Sequence, residues 1–267
     1  MIGKVKTRIV CAFFLLLCLG LSPTQTVHAV SPLALDTLGI NTTCQAANCN
    51  AQLLTTTRGH DLIILLIVCG INYNCPLVSP FIVDSSGLTF AQRISFGNKE
   101  CFCQTWEYYA RATSLLTSDN ITVVFPTEVG FATGIQVLSI HGANTKGIFD
   151  PDPSIPATCF IPACGDCSFN VGTCSVSIQT YTTDFVIVST AIGDGPACGG
   201  VSLSSSNDVG GVPGFTTITT NKGYGGWFEV DYAILSALQS KVVFACNGTF
   251  ATAIAMDAIS LRGAFGS

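Results

Sequence analysis

Charge is scarce in this sequence. Lys, Arg, Asp and Glu make up 10% of its 267 residues, against about a quarter in an average soluble domain. Disordered chains need the reverse composition, so a packed core is expected. There are three histidines, two tryptophans and two methionines, and helical periodicity is nearly absent. Long apolar runs are missing too. Beyond the first thirty residues the longest is "LIILLIVC" (62–69), too short for a membrane helix and suited to a buried strand. No Gly-rich phosphate loop, metal-binding helix motif or nucleophile elbow occurs. Acid–base or nucleophilic catalysis therefore has few candidate groups. The expectation is a protein that is not an enzyme, with no catalytic residue, cofactor or metal assigned.

What is present begins with a leader. Lys4, Lys6 and Arg8 precede "IVCAFFLLLCLGL", and "TVHA" ends in small residues. This is the pattern of a secretory signal peptide over 1–29, with Val30 the expected first residue of the mature chain. Its removal leaves eight basic residues against sixteen acidic ones, which argues against nucleic acid and anionic membrane as partners. No membrane span is expected in the mature chain. Twelve of the fourteen cysteines remain: Cys44, Cys49, Cys69, Cys75, Cys101, Cys103, Cys159, Cys164, Cys167, Cys174, Cys198 and Cys246. An even, high count in an exported chain reads as a disulfide framework. Short-range pairs are favoured, Cys44–Cys49 and Cys69–Cys75 first. Cys159, Cys164, Cys167 and Cys174 have a spacing that would also suit zinc or an iron–sulfur cluster, but an oxidising compartment favours disulfides. Asn41, Asn120 and Asn247 head glycosylation sequons, each expected at a strand edge or turn.

The chain writes similar segments twice. "FATGIQVLSIHGA" (131–143) returns as "FATAIAMDAISLRGA" (250–264), and "TVVF" (122–125) as "KVVF" (241–244). "TWEYYA" (105–110) is matched by "GWFEVDYA" (226–233), "SGLTF" (86–90) by "PGFTT" (213–217), and "HDLIILLIVCG" (60–70) by "TDFVIVSTAIG" (183–193). All five recur in one order, offset by 119 to 127 residues. Each is rich in β-branched and aromatic residues and bounded by turn formers, so each reads as a strand. Asn247-Gly248 reads as a hairpin turn. The fold class is all-β: two pseudo-repeated β-sandwiches, 30–144 and 167–267, joined by a Pro/Cys-rich linker over 145–166. One larger jelly roll with two similar halves is the alternative. The unequal starts of the two copies suggest that one sandwich lacks a strand.

Several groups admit a functional reading beside a structural one. His60 and His141 lie next to strand ends in no ligand-type spacing, and read as structural or exposed. Asp150, Asp152, Asp166, Asp194 and Asp208 would suit a calcium site, but Asp before Pro or Gly is ordinary turn chemistry, which is preferred. Glu107 and Glu229 occupy matching places in the repeat and so read as serving the fold. Alternation puts Trp106 and Tyr108 on one strand face and Glu107 and Tyr109 on the other. One face should be core, leaving at most half of these aromatics for a sugar-binding platform.

The segment "LALDTLGI" follows the leader closely. Leu33 and Leu35 share one face of an extended strand, and Leu38 and Ile40 the other, with a phase change near Thr37–Gly39 where a bulge is expected. Such a strand either completes its own sandwich or fills an open edge on a neighbour. The segments "DLIILLIVC", "DSSGLTFAQR", "TWEYYARA", "SDNITVVF" and "SIHGAN", with "FDPDPSIPA", resemble a group of exported archaeal β-sandwich proteins, most without an assigned function. More loosely, the chain is similar to subunits of archaeal extracellular filaments. That resemblance implies leader removal and an N-terminal strand that completes the next subunit. The expectation is a secreted or cell-surface structural subunit that self-associates. A carbohydrate-binding or adhesive module, with surface glycans as partners, is the alternative.

Overall fold

The computed structural model describes residues 32–40, 42–44, 48–69, 78–98, 103–126, 133–161, 172–193, 214–223, 226–248 and 252–261. The expected leader, Asn41, Cys75, Cys101, Cys164, Cys167, Cys198, Asp166, Asp194 and Asp208 lie outside them. Ser31–Ser267 form one compact unit. In chain order the strands are β1 (Ala34–Leu38), β2 (Thr42–Cys44), β3 (Asn48–Leu54), β4 (Leu62–Cys69), β5 (Phe81–Asp84), β6 (Ala91–Asn98), β7 (Cys103–Arg111) and β8 (Asp119–Val124). There follow β9 (Thr133–His141), β10 (Ala157–Ile161), β11 (Gly172–Ile178), β12 (Asp184–Gly193), β13 (Thr216–Gly223), β14 (Gly226–Ile234), β15 (Val242–Gly248) and β16 (Thr252–Ser260). No helix occurs among the described residues.

The strands build four antiparallel sheets. The first central sheet runs β1-β9-β4-β7-β6, with β2 also on β9, and the first outer sheet runs β3-β8-β5. The second central sheet runs β10-β16-β12-β14-β13, and the second outer sheet is β11-β15. The two central orders correspond position for position: β1 with β10, β9 with β16, β4 with β12, β7 with β14 and β6 with β13. Of the five pairs of segments that look alike in sequence, three fall on such strands, β4 with β12, β7 with β14 and β9 with β16, while "TVVF" and "KVVF" fall on β8 and β15 of the outer sheets and "SGLTF" precedes β6.

The layers stack through three cores. Leu54, Ile63, Leu65, Trp106, Ile121 and Val137 fill the space between the first outer and first central sheets. Val176, Val188, Phe244, Ile254 and Met256 do the same for the second pair. A third core joins the two central sheets to each other, with Leu62, Ile64, Leu66 and Leu138 meeting Phe185, Ile187, Phe228, Val230 and Ile259. Both faces of each central sheet are therefore dry. This is why β4 is apolar at every position and buried at all eight: odd and even residues serve different cores, so alternation disappears. Each such Leu or Ile contributes roughly 1.5–3 kcal/mol by leaving water.

Four expectations are corrected. First, 145–166 is more than a linker. Phe149 bridges to Ile259, and Ala157–Ile161 is β10, the edge partner of β16, so the second central sheet does not lack the strand that β1 supplies to the first. Second, Asn247-Gly248 is not a hairpin turn. Both residues lie within β15, opposite Thr173 and Gly172. β15 and β16 belong to different sheets and do not pair, and the same holds for β8 and β9. Alternating burial along Val242–Cys246 of β15 and full burial of β16 override the local turn signal. Third, the bulge in β1 falls between Leu35 and Thr37, not at Thr37–Gly39, and the extra residue is Asp36. Fourth, Glu107 and Glu229 do not match. Pairing places Glu107 opposite Leu66 and Glu229 opposite Thr190, one step out of phase once Asp61 is aligned with Asp184. Glu107 faces the third core, while Glu229 shares its face with Ala233 and Leu235 of the second.

Candidate functional site

Bulges place two polar side chains where flat strands would not. A bulge turns one residue out of the alternation and re-aims it. In β6 the shift lies between Gln92 and Ile94, and the displaced residue is Arg93. Its guanidinium reaches across the third core to Asp257 of β16, with Nε donating to Oδ2 at 2.7 Å and Nη2 to Oδ1 at 3.2 Å. Nη2 also donates to the Ile155 carbonyl at 3.5 Å, and the group lies 4.1 Å above the Phe149 ring. Glu107 completes the cluster. Burial pushes its carboxyl well above the ordinary range, and the neighbouring Asp257 charge adds to this against the pull of Arg93. Burial also raises Asp257, with Arg93 opposing. One cation thus lies among two buried carboxyl groups and is paired with Asp257, and burial favours the neutral form of the other. This cluster ties the two halves together.

The second cluster sits at the end of the first central sheet. The β1 bulge aims Asp36 at Thr57, whose backbone N–H donates to Oδ2 at 2.7 Å while its hydroxyl donates to Oδ1. His141 Nδ1 lies 2.8 Å from Asp61 Oδ1. Burial pushes Asp61 up to about 6, opposed by His141 and helped by Asp36. For Asp36 burial also acts upward, but the Thr57 bonds outweigh it and hold the group below its usual value. A carboxyl orienting an imidazole is two-thirds of a nucleophilic triad. Ser139, two residues before His141 on β9, has its hydroxyl engaged 2.9 Å from that of Thr37. His60, by contrast, is exposed at φ 65°.

Next to this cluster is a polar cavity of about 520 Å³ between the β5–β6 and β7–β8 connections. Ser86, Thr89, Thr113, Ser114 and Arg111 line it with Leu115, and Arg111 also borders the small recess beside His60 and Asp61. Asp84 and Asp119 anchor one wall. The Ser85 and Ser86 hydroxyls donate to Asp119 Oδ1 at 2.8 and 2.7 Å, and the Leu88 N–H donates to Asp84 Oδ1 at 2.6 Å. Burial and the adjacent Asp119 push Asp84 up to about 6. Burial pushes Asp119 the same way, but Asp84 and the two serines outweigh it and hold Asp119 low.

Other sequence candidates fall elsewhere. Asp150 accepts the N–H groups of Asp152, Tyr181 and Thr182, and Asp152 accepts that of Ser154. That is turn chemistry, and among the described residues no group of three or more His, Cys, Asp or Glu is arranged for a metal. Cys159 and Cys174 form a disulfide with Cα atoms 5.7 Å apart, which takes both out of any four-thiol metal set. It links β10 to β11, across the second sandwich rather than around a tight loop. Cys69 and Cys246 are also disulfide-bonded. Cys44, Cys49 and Cys103 lie on β2, β3 and β7.

Trp106 and Tyr108 fill the first core and Tyr109 packs 5.1 Å from Phe149 toward the third. Phe228 is buried and Tyr232 stacks on Phe185 at 5.0 Å, so none of these five described aromatics forms an exposed platform. Asn120 is exposed near the start of β8. Leu33 is buried and Leu35 partly so, while Leu38 and Ile40 are exposed. Arg93, Arg111, Asp36 and Asp61 were not singled out from sequence for any site. The usable signal for Asp61 was its place before β4, matched by Asp184 before β12. Both backbone carbonyls accept equivalent bonds, from Ala112 at 2.9 Å and Leu235 at 2.8 Å. No family model matches this chain, and no curated protein or solved structure matches it.

Proposed function

We propose that this chain is a secreted, disulfide-stabilised structural subunit of an extracellular filament or cell-surface assembly, joined to its neighbours by exchange of β1. The observation behind this reading is the character of β1. It is five residues long, bulged at its middle, and held to its own sheet by a single ladder on β9. Of the leucines and isoleucine in and beside it, only Leu33 is buried, while Leu38 is 43% and Ile40 54% exposed. The same ladder, Leu35 opposite Ile140 and Leu38 opposite Leu138, serves equally for a strand arriving from another copy, because backbone bonds do not distinguish the two. Head-to-tail exchange covers an exposed edge and propagates an open chain of subunits.

The test removes residues 30–40 behind the leader. The intact protein should form filaments or dilution-resistant oligomers by negative stain. The shortened one should stay monomeric and bind a peptide of sequence SPLALDTLGI. Assembly by the shortened protein, or an intact protein that stays monomeric at high concentration, refutes exchange. An adhesive or carbohydrate-binding module is the second reading, favoured by the polar cavity beside Arg111.

A further inference from the structure

We infer that the cavity beside Arg111 is a binding site for carboxylate-bearing sugars, with a uronate as the minimal ligand. The inference rests on the second reading for its sugar chemistry and is independent of self-association. The volume, about 520 Å³, lies in the range of small-molecule pockets and accommodates one or two sugar rings. Arg111 is the sole charged residue lining it. Among the described residues the ion pairs are Arg93–Asp257 and His141–Asp61, so the Arg111 fork is uncommitted. A guanidinium binds a carboxylate through two parallel N–H bonds.

The remaining polar lining suits a polyol. Thr89, Thr113 and Ser114 each bring a hydroxyl that both donates and accepts. Ser86 gives its proton to Asp119, so it serves a ligand only as an acceptor. Leu115, 58% exposed, offers an apolar surface to the C–H face of a ring. Gly87 has φ +80°, and a Cβ there would meet nothing within 4 Å, so the mouth is open.

The walls are already built. Leu88 is fixed to Asp84 on one side. On the other, Leu116 N–H donates to Thr56 Oγ1 at 3.0 Å and Ser118 N–H to Thr55 Oγ1 at 2.9 Å. A preformed pocket spends little binding energy on ordering loops. The chain is acidic, with a formal net charge of −5, so diffuse attraction does not gather anions and the Arg111 fork must select them.

The experiment uses the intact, oxidised protein and titrates galacturonate, galactose, acetate and sulfate by saturation-transfer NMR and calorimetry. Galacturonate should bind saturably and at least tenfold more tightly than galactose or acetate. Arg111→Ala should weaken it tenfold or more, and Thr113→Val with Ser114→Ala should weaken galacturonate but not acetate. Because Arg111 is exposed, the melting temperature of the variant should match the parent, which separates lost binding from lost fold. Equal binding of galactose means no carboxylate recognition, and equal binding of acetate or sulfate means a bare anion site only. Either result overturns the inference, as does full affinity in Arg111→Ala. Filaments that persist while sugar binding fails leave the structural reading standing.

Discussion

Replacing Arg93 with Met should cost this fold more than the loss of a surface ion pair suggests. The Asp257 side chain is fully buried and that of Arg93 is 24% exposed, so the carboxylate depends on one cation inside a dry core. Surface pairs are worth about 0–1 kcal/mol, whereas stranding a buried partner costs about 3–5 kcal/mol. For a domain of this size that lowers the melting point by about 6–20 °C. The loss should depend on pH. Without Arg93 the Asp257 carboxyl has its folded pKa raised further above the unfolded value, and the folded variant takes up a proton. The penalty is then small near pH 4 and grows as pH rises through the folded value. Thermal melts followed by near-UV circular dichroism at pH 4.5 and 8 would show it. Two companions sharpen the test. Arg93→Met with Asp257→Leu should recover most of the stability, because an apolar pair of similar volume leaves no stranded charge. Glu107→Gln should cost less than about 1 kcal/mol at neutral pH, since an amide replaces a carboxyl that burial pushes toward its neutral form. A pH-independent loss below 1 kcal/mol for Arg93→Met would refute the argument. A Glu107→Gln loss as large as that of Arg93→Met would show that Glu107 is ionised in the fold.

Burial pushes Asp184 up to about 8, against the Thr182 bond and with help from Asp150. A folded pKa above the unfolded one means that stability is fully present below about pH 4 and is lost as pH rises toward 8, at up to roughly 1.4 kcal/mol per pH unit. Asp184→Asn should remove this component, so its advantage over the parent in urea titrations widens from pH 4 to 8; parallel curves would contradict it. At Gly134 a Cβ would stand 2.4 Å from Phe228 Cγ, where the two central sheets meet. Gly134→Ala should cost about 1–3 kcal/mol and Phe228→Leu should recover part of it, while an unchanged urea midpoint would show that Phe228 moves aside freely.

How far the sequence carried depends on the reach of each signal. Strands were legible because β-branched runs and turn formers are local, and the split of Trp106 and Tyr108 from Tyr109 followed from alternation alone. That both faces of a strand would be buried was only hinted at by "LIILLIVC". Where Asn247-Gly248 suggested a hairpin, the destination of β16 in another sheet decided otherwise, and no dipeptide encodes that. The candidate site was mostly hidden. Arg93 and Asp36 owe their aim to bulges, and Arg111 owes its cavity to two connections distant in sequence. The serines and threonines of that cavity looked like ordinary loop composition.

The position of β9 and β16 has a consequence for how the molecule comes into being. Each is bonded on both sides, β9 between β1 and β4, β16 between β10 and β12, and each is the last strand of its half to be synthesised. Thr37 must wait for Ser139, 102 residues on, and Ala157 for Met256. β4 therefore emerges with one edge open and neither face covered, and the central sheets close only when their keystones arrive. Pairings of such long range are slow to find. The Cys159–Cys174 bridge, with a separation of 15, closes a far shorter loop and is available much earlier. A ribosome stalled before β16 would hold a first half that is complete in itself but has its third-core face bare. Clipping the last strand would undo the second half, whereas trimming the first strand would only bare an edge.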